Sequence, residues 1–189
     1  MDAPPIVIVS GPPGAGKSTI ARRLATRHAG PRAIQLHTDD FYAWIRKGYI
    51  DPWREESREQ NTIVGDALAT TASIYARGHY AVYVDGIVGP WFFAPWFAIA
   101  RVAELDLRYV LVLPDEATTV ARAASRTAPT LTDPEPVRFM WRQFAALDAY
   151  AEHRIDTTHL SIDAAVTAIE AGLAAGRYRL TNPPEDVAP

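Results

Sequence analysis

Short runs of β-branched and aromatic residues recur along the chain, and each is followed by a segment in which apolar positions return at helical spacing. Ile6-Val7-Ile8-Val9, Ala33-Ile34-Gln35-Leu36-His37, Tyr80-Ala81-Val82-Tyr83-Val84 and Leu107 to Leu113 are too short for stable helices and predict strands. Arg154-Ile155-Asp156-Thr157 is a shorter candidate for a fifth. The first helix is predicted from Lys17 to about His28, stopped by Gly30-Pro31, and the next from Thr62 to Arg77, stopped by Gly78. Asp115 reads as the cap of a helix running to about Arg126. A further helix is expected from about Val137 to Tyr150, and Ser161 caps a last one with Val166, Ile169 and Leu173 on one face. From Trp44 to about Glu59 the pattern is mixed and predicts loops and a short helix. The stretch from Thr127 to Pro136 carries three prolines and interrupts the helical pattern.

Strands alternating with helices imply an α/β domain with a parallel sheet covered on both faces. The pattern is continuous from residue 1 to about 180, so one domain is expected there, with 181–189, rich in proline and acid, as a frayed tail. In such sheets functional groups gather beyond the carboxyl ends of the strands. That rule selects the loops after the first three strands.

Composition narrows the partners. Nineteen Lys and Arg against twenty-two Asp and Glu leave a formal net charge of −3 over 189 residues, which offers no nucleic-acid footprint. The absence of cysteine excludes disulfides and thiolate chemistry. No apolar run approaches a membrane span, and no basic segment followed by a long apolar stretch opens the chain, so a soluble, cytoplasmic protein is expected.

The loop after the first strand is Gly11-Pro12-Pro13-Gly14-Ala15-Gly16-Lys17-Ser18-Thr19, which fits G-x-x-x-x-G-K-S between a strand and a helix. Glycines let the backbone curl so that successive N–H groups converge on phosphate oxygens, and the helix that follows adds the positive end of its dipole. Lys17 would then bridge the β- and γ-phosphates and the Ser18 hydroxyl would ligate Mg²⁺. The plainer reading is a glycine-rich turn that happens to hold a lysine; the strand before and the helix after favour a site for ATP and Mg²⁺.

Three further groups of residues fit phosphoryl transfer. Asp39 and Asp40 follow the second strand, where a carboxylate could orient an acceptor hydroxyl and take its proton; one of them could instead cap the next helix. Asp39 is assigned as the base, with Asp40 as its substitute or a metal partner. Asp85 ends the third strand, where a carboxylate holds the metal or touches the acceptor, unless it only makes the turn with Gly86. Arg122 and Arg126 lie four apart, on one helix face before the proline-rich loop, and either could neutralise the transferring group or simply face solvent. Phe41, Tyr42, Trp44, Trp53, Trp91, Phe92 and Trp96 flank the acceptor side and could wall a pocket, whereas Phe93 and Phe97 read as core. Arg46, Arg54 and Arg58 could bind an acceptor phosphate or stay solvated. His37, His79, His153 and His159 have no metal-ligand spacing and receive no role.

With Gly11 to Thr19, Asp39, Asp85, the Arg122/Arg126 helix and Asp156-Thr157-Thr158-His159, the chain resembles the small P-loop kinase group. Within the group it is most similar to the chloramphenicol phosphotransferase family, and more distantly to gluconate, shikimate and uridine kinases. Asp39-Asp40-Phe41-Tyr42 resembles the Asp-Ser-Phe-Tyr stretch that carries the base in uridine kinases, which supports Asp39. The resemblance implies a five-stranded sheet in the order 2-3-1-4-5 and a lid after strand four. It also implies a phosphotransferase with an alcohol group as acceptor, and an approach of Thr157 and Thr158 to the adenine. Trp44 to Arg58 and the aromatic run after Asp85 match no one acceptor class, so the acceptor stays unnamed: an antibiotic, nucleoside or sugar-like molecule. Two other readings remain: an ATPase or switch that uses only water, and a kinase of phosphorylated acceptors. No Asn/Thr-Lys-x-Asp guanine motif occurs, which counts against a GTP switch.

Overall fold

The computed structural model of the protein describes residues 4–125 and 131–181. Arg126, part of the expected lid loop, and nearly all of the expected tail lie outside them. Five strands, β1 (Ile6–Ser10), β2 (Ala33–His37), β3 (Ala81–Gly86), β4 (Leu107–Val112) and β5 (Arg154–Ile155), form one sheet in the order 2-3-1-4-5. Every neighbouring pair is parallel. The helices are α1 (Lys17–Arg27), α2 (Thr38–Ala43), α3 (Arg58–Arg77), α4 (Ala94–Ala103), α5 (Glu116–Ala124), α6 (Pro134–Ala145) and α7 (Ile162–Ala174).

β1 runs through the middle of the sheet and every residue in it is buried. Its alternation divides the core. Val7 and Val9 pack with Ile20 and Leu24 of α1 and with Val166 and Ile169 of α7. Ile6 and Ile8 face the other way, toward Leu68 and Ala72 of α3 and toward Phe93 and Trp96. Each such aliphatic side chain, wholly removed from water, contributes about 1.5–3 kcal/mol. Both faces of the sheet are therefore covered, as the near-continuous apolar strands required.

Several elements depart from the sequence expectations, among them α3, which begins at Arg58 rather than Thr62. α4 was not expected, because Trp91 to Phe97 is apolar at almost every position and shows no period. α6 begins at Pro134 rather than Val137: Asp133 accepts from the Glu135 N–H at 3.1 Å, and prolines in the first turn have no N–H to leave unpaired. Beyond α6 the chain makes 3-10 turns over Asp148–His153 instead of extending the helix to Tyr150. Among the described residues no helix is long and apolar enough to cross a membrane.

Candidate active site

The phosphate loop joins β1 to α1, and its glycines are required by geometry. Gly11, Gly14 and Gly16 all have positive φ, at 144°, 86° and 93°. A Cβ on Gly11 would lie 2.2 Å from the Val112 carbonyl oxygen, and one on Gly14 would lie 2.3 Å from that of Thr119. The loop thus presses against β4 and α5 where no side chain fits. No side chain caps α1, so the N–H groups of its first turn are left for an anion. Lys17 Nζ donates to the Pro12 carbonyl at 2.8 Å, which folds the ammonium back over the loop.

Beside the loop lies a fully buried carboxylate. Asp85, at the carboxyl end of β3, has no solvent exposure. Gln35 Nε2 donates to its Oδ1 at 2.6 Å, His37 Nδ1 lies 2.7 Å from its Oδ2, and the Ser18 side chain is near enough to help lower its pKa. Burial pushes the Asp85 carboxyl up, but these donors and the His37 charge outweigh burial and hold it below the usual carboxylate range. Ser18 and Asp85, two of the expected metal residues, are therefore brought together. Such a pair fits Mg²⁺, which keeps most of its waters and needs few protein ligands. Asp40 is not joined to them: it is exposed on α2, with no side-chain hydrogen bond or ion pair among the described residues.

His37, given no role from the sequence, proves central. β2 and β3 pair with His37 opposite Asp85, and Gln35 precedes it by one full alternation on the same face. Its other nitrogen, Nε2, lies 3.4 Å from Asp39 Oδ2. Asp39 is 81% exposed, at the start of α2. The hydrogen bond from His37 holds the Asp39 carboxyl below its ordinary range, and the Lys17 charge adds to this. His37 in turn is pushed up to about 10 by its contacts with Asp39 and Asp85. The signal was present in the sequence: polar residues at alternate positions of β2, Gln35 and His37, mark a polar strip on a strand that otherwise reads apolar.

The other expected residues fall into two groups. On the nucleotide side, Arg122 Nη2 reaches the carbonyls of Thr157 and Thr158 at 3.4 and 3.5 Å. Thr158 accepts from the Asp115 N–H at 2.8 Å, which ties the turn after β5 to the start of α5. Thr157 Oγ1 is buried without a hydrogen-bond partner, a polar atom that a ligand could satisfy. Arg126 lies outside the described residues.

On the acceptor side, Phe41 is core and Tyr42 donates to Asn61 Oδ1 at 2.8 Å. Trp44 is 64% exposed and stacks obliquely on Phe41, and Tyr49 and Trp53 are exposed beyond it. Tyr42 and Tyr49 both feel the Asp39 charge, which, after burial, helps to push their hydroxyls up. A cavity of about 290 Å³ opens here, lined by Tyr49, Ile50, Asp51, Arg54 and Glu56. Arg54 is turned onto Glu56 at 3.4 Å. Trp91 is half-buried against Phe144, and Trp96 is fully core. A larger cavity of about 490 Å³ is lined by Phe97, Arg101, Leu107 and Leu180, at the opposite ends of the strands from the phosphate loop.

A parallel sheet in the order 2-3-1-4-5, with a phosphate loop after its central strand and a buried carboxylate ending the adjacent one, defines a P-loop nucleotide-binding fold of the small-kinase kind. The chain belongs to the AAA domain family (AAA_33), which it matches over residues 6–152. No curated protein matches it. Among solved structures it is similar to the tunicamycin resistance protein of Deinococcus radiodurans (15% identity, TM-score 0.65, covering 95% of this chain and 99% of that one). It is also similar to shikimate kinase from Acinetobacter baumannii in complex with shikimate (18%, 0.63, 92% and 94%). APS kinase from Mycobacterium tuberculosis in complex with AMPPNP and APS is a further likeness (18%, 0.61, 92% and 99%). At these identities the likeness is one of fold.

Proposed function

We propose that the protein is a phosphotransferase, one P-loop kinase domain over residues 1–180, that uses ATP and Mg²⁺ to phosphorylate a hydroxyl of a small, uncharged molecule. The observation that carries this reading is the alignment of an exposed carboxylate, Asp39, with a buried one, Asp85, beside the phosphate loop and its lysine. The cavity lined by Tyr49, Ile50, Asp51, Arg54 and Glu56, whose Tyr49 hydroxyl feels the Asp39 charge, supports an acceptor other than water.

Bound Mg·ATP supplies the transferable phosphoryl group and the metal charge that neutralises its oxygens. The chain supplies the rest. The N–H groups at the start of α1 and the Lys17 ammonium hold the phosphates, and Ser18 with Asp85 holds the metal. Arg122 and the Thr157-Thr158 turn form the nucleotide-base side, and Arg126 is assigned to neutralise the transferring group. Asp39, kept ionised by His37 and Lys17, orients the acceptor hydroxyl and accepts its proton as transfer completes. Trp44 and Tyr49 offer faces to the acceptor.

The charge of the acceptor cavity supports an uncharged substrate. Asp51 and Glu56 contribute two carboxylates against one guanidinium, and Arg54 is already turned onto Glu56. A phosphorylated acceptor would meet net negative charge there. The test is a panel of nucleosides, sugar-like polyols, hydroxylated antibiotics and their phosphorylated counterparts, with ADP release and product mass both measured. An uncharged acceptor that gains 80 Da, the mass of one phosphoryl group replacing a hydrogen (roughly, from stoichiometry), is the expected result. Turnover that no acceptor accelerates would leave an ATPase. Asp39→Asn is expected to keep ATP affinity and to lower the rate of transfer roughly 10²–10⁴-fold.

A further inference from the structure

We propose that Ser10 is a positioning residue: its hydroxyl locks the loop after β3 to the root of the phosphate loop and so fixes Ile87 as an apolar contact for the acceptor. The role of Ile87 rests on the kinase reading above; the lock itself does not.

The lock is a closed set of buried hydrogen bonds. Ser10 is the last residue of β1, directly before Gly11, and has no solvent exposure. Its hydroxyl donates to the Val88 carbonyl at 2.8 Å and accepts from the Val88 N–H at 2.9 Å. The Tyr109 hydroxyl, equally buried, donates to the same carbonyl at 3.0 Å. The ladder between β1 and β3 ends with Ser10 opposite Gly86, and the serine side chain extends the pairing by two residues. The other four residues of β1 are aliphatic. A hydroxyl buried at the fifth costs stability unless its bonds are made, and here all of them go to one loop residue.

The chain is pinned on both sides of Ile87. Before it, the Thr38 hydroxyl donates to the Asp85 carbonyl at 2.9 Å, and Gly86 packs so closely on Thr38 that a Cβ would collide with that side chain. After it, Val88 is buried with Val82 and Val84 in the core, and a Cβ on Gly89 would collide with the Trp91 ring. Between these fixed points Ile87 stays 37% exposed. Strand alternation puts Val82, Val84 and Val88 on one face and Ile87 on the other, the side of Asp85. Its β-branched side chain is stiff as well. An exposed aliphatic group on an anchored backbone, beyond the carboxyl end of β3 and beside the phosphate loop, offers an acceptor a fixed apolar surface.

Two measurements test the proposal. The first is amide hydrogen exchange by NMR on nucleotide-free protein. Ser10→Ala leaves the Val88 N–H without an acceptor, so exchange at Val88 should speed up roughly tenfold more than at Ile8 in the middle of β1. Tyr109→Phe removes a hydroxyl from the same core but leaves the serine pair, and should not single out Val88. The second is steady-state kinetics with Mg·ATP and the compound of the panel above that gains a phosphoryl group fastest. Ile87→Ala should raise the KM of that compound roughly tenfold with kcat and the KM for ATP near those of the wild type. Ser10→Ala should raise the same KM, and should add nothing to it in an Ile87→Ala background. Val88 exchange that moves only in step with Ile8 would overturn the lock. A wild-type acceptor KM in Ile87→Ala, at an exposed position where folding is not at stake, would overturn the contact. A rise in Tyr109→Phe as large as in Ser10→Ala would overturn the role of Ser10, because a loosened core would then suffice. If no compound of the panel is phosphorylated, the kinase reading fails and the role of Ile87 with it, and Val88 exchange still decides the lock.

Discussion

Gly14 shows how narrowly single residues are constrained in this molecule. Its φ of 86° is one that side chains rarely adopt, and a methyl group there would meet two backbone atoms, Thr119 O at 2.3 Å and Ala123 N at 2.9 Å. Backbone atoms of α5 cannot swing aside as a flexible side chain would. Gly14→Ala is therefore expected to destabilise the fold by at least ~1–3 kcal/mol, read as a lower denaturant midpoint, and to weaken ATP binding with it. His153 gives a different kind of prediction. Its Nδ1 lies 2.9 Å from the Tyr109 carbonyl, between the rings of Tyr109 and Tyr150, and burial lowers its pKa despite that hydrogen bond. The unfolded chain then binds a proton more readily than the folded one, so this residue subtracts stability as pH falls below about 6.5. His37 acts in a different window: its folded pKa is raised to about 10, so its stabilisation is complete below about 6.5 and is lost as pH rises toward 10. The contrast with a variant isolates the term. Between pH 7.5 and 5.5, His153→Asn should lose less stability, or gain more, than the wild type, measured by urea midpoints. Equal pH dependence in the two proteins would refute the assignment.

At the scale of elements, what was legible depended on whether the signal was local. The strands announced themselves by β-branched runs, and α5 and α7 by Asp115 and Ser161, whose side chains accept from the Thr118 and Ala164 N–H groups at 2.6 and 3.1 Å. α4 was hidden because its segment is apolar on every side, and the start of α6 because Pro134 and Pro136 read as breakers when they are first-turn residues. His37 was hidden for another reason. Its partner Asp85 is 48 positions away, and only the register of β2 on β3 brings them together. The segment between α2 and α3 is likewise held by contacts no periodicity reveals. Asn61 accepts from Tyr42 and donates to the Pro52 carbonyl and to Ser57, while Gln60 holds both the N–H and the carbonyl of Ile50. Asn61→Ala leaves the Tyr42 hydroxyl without its acceptor and removes two donors from the segment, at about 1–3 kcal/mol. A lower melting temperature together with a raised KM for the acceptor is expected; a change in the KM for ATP equal to that for the acceptor would show that the segment serves both.

For the whole molecule, alternation of strand and helix gave the layered α/β class, and the resemblance gave the strand order. The nucleotide half was legible because one contiguous loop carries most of it. The acceptor half was not, because its polar contacts join residues from three separate stretches. That difference has a consequence for how the molecule can change. The nucleotide side is built into the sheet: the loop presses on β4 and α5, and Asp85 is locked into β3. The segment proposed to meet the acceptor, between Ala43 and Arg58, is held by side chains of α2 and α3 and by Ile45 on the core, and no strand passes through it. On the proposed reading, residues 44–57 are expected to behave as an exchangeable cassette while the phosphate loop stays fixed. Transplanting the corresponding stretch of another kinase of this fold between Ala43 and Arg58, with Gln60 and Asn61 retained, should exchange the accepted hydroxyl compound and leave the Michaelis constant for ATP within about threefold, a shift under 1 kcal/mol.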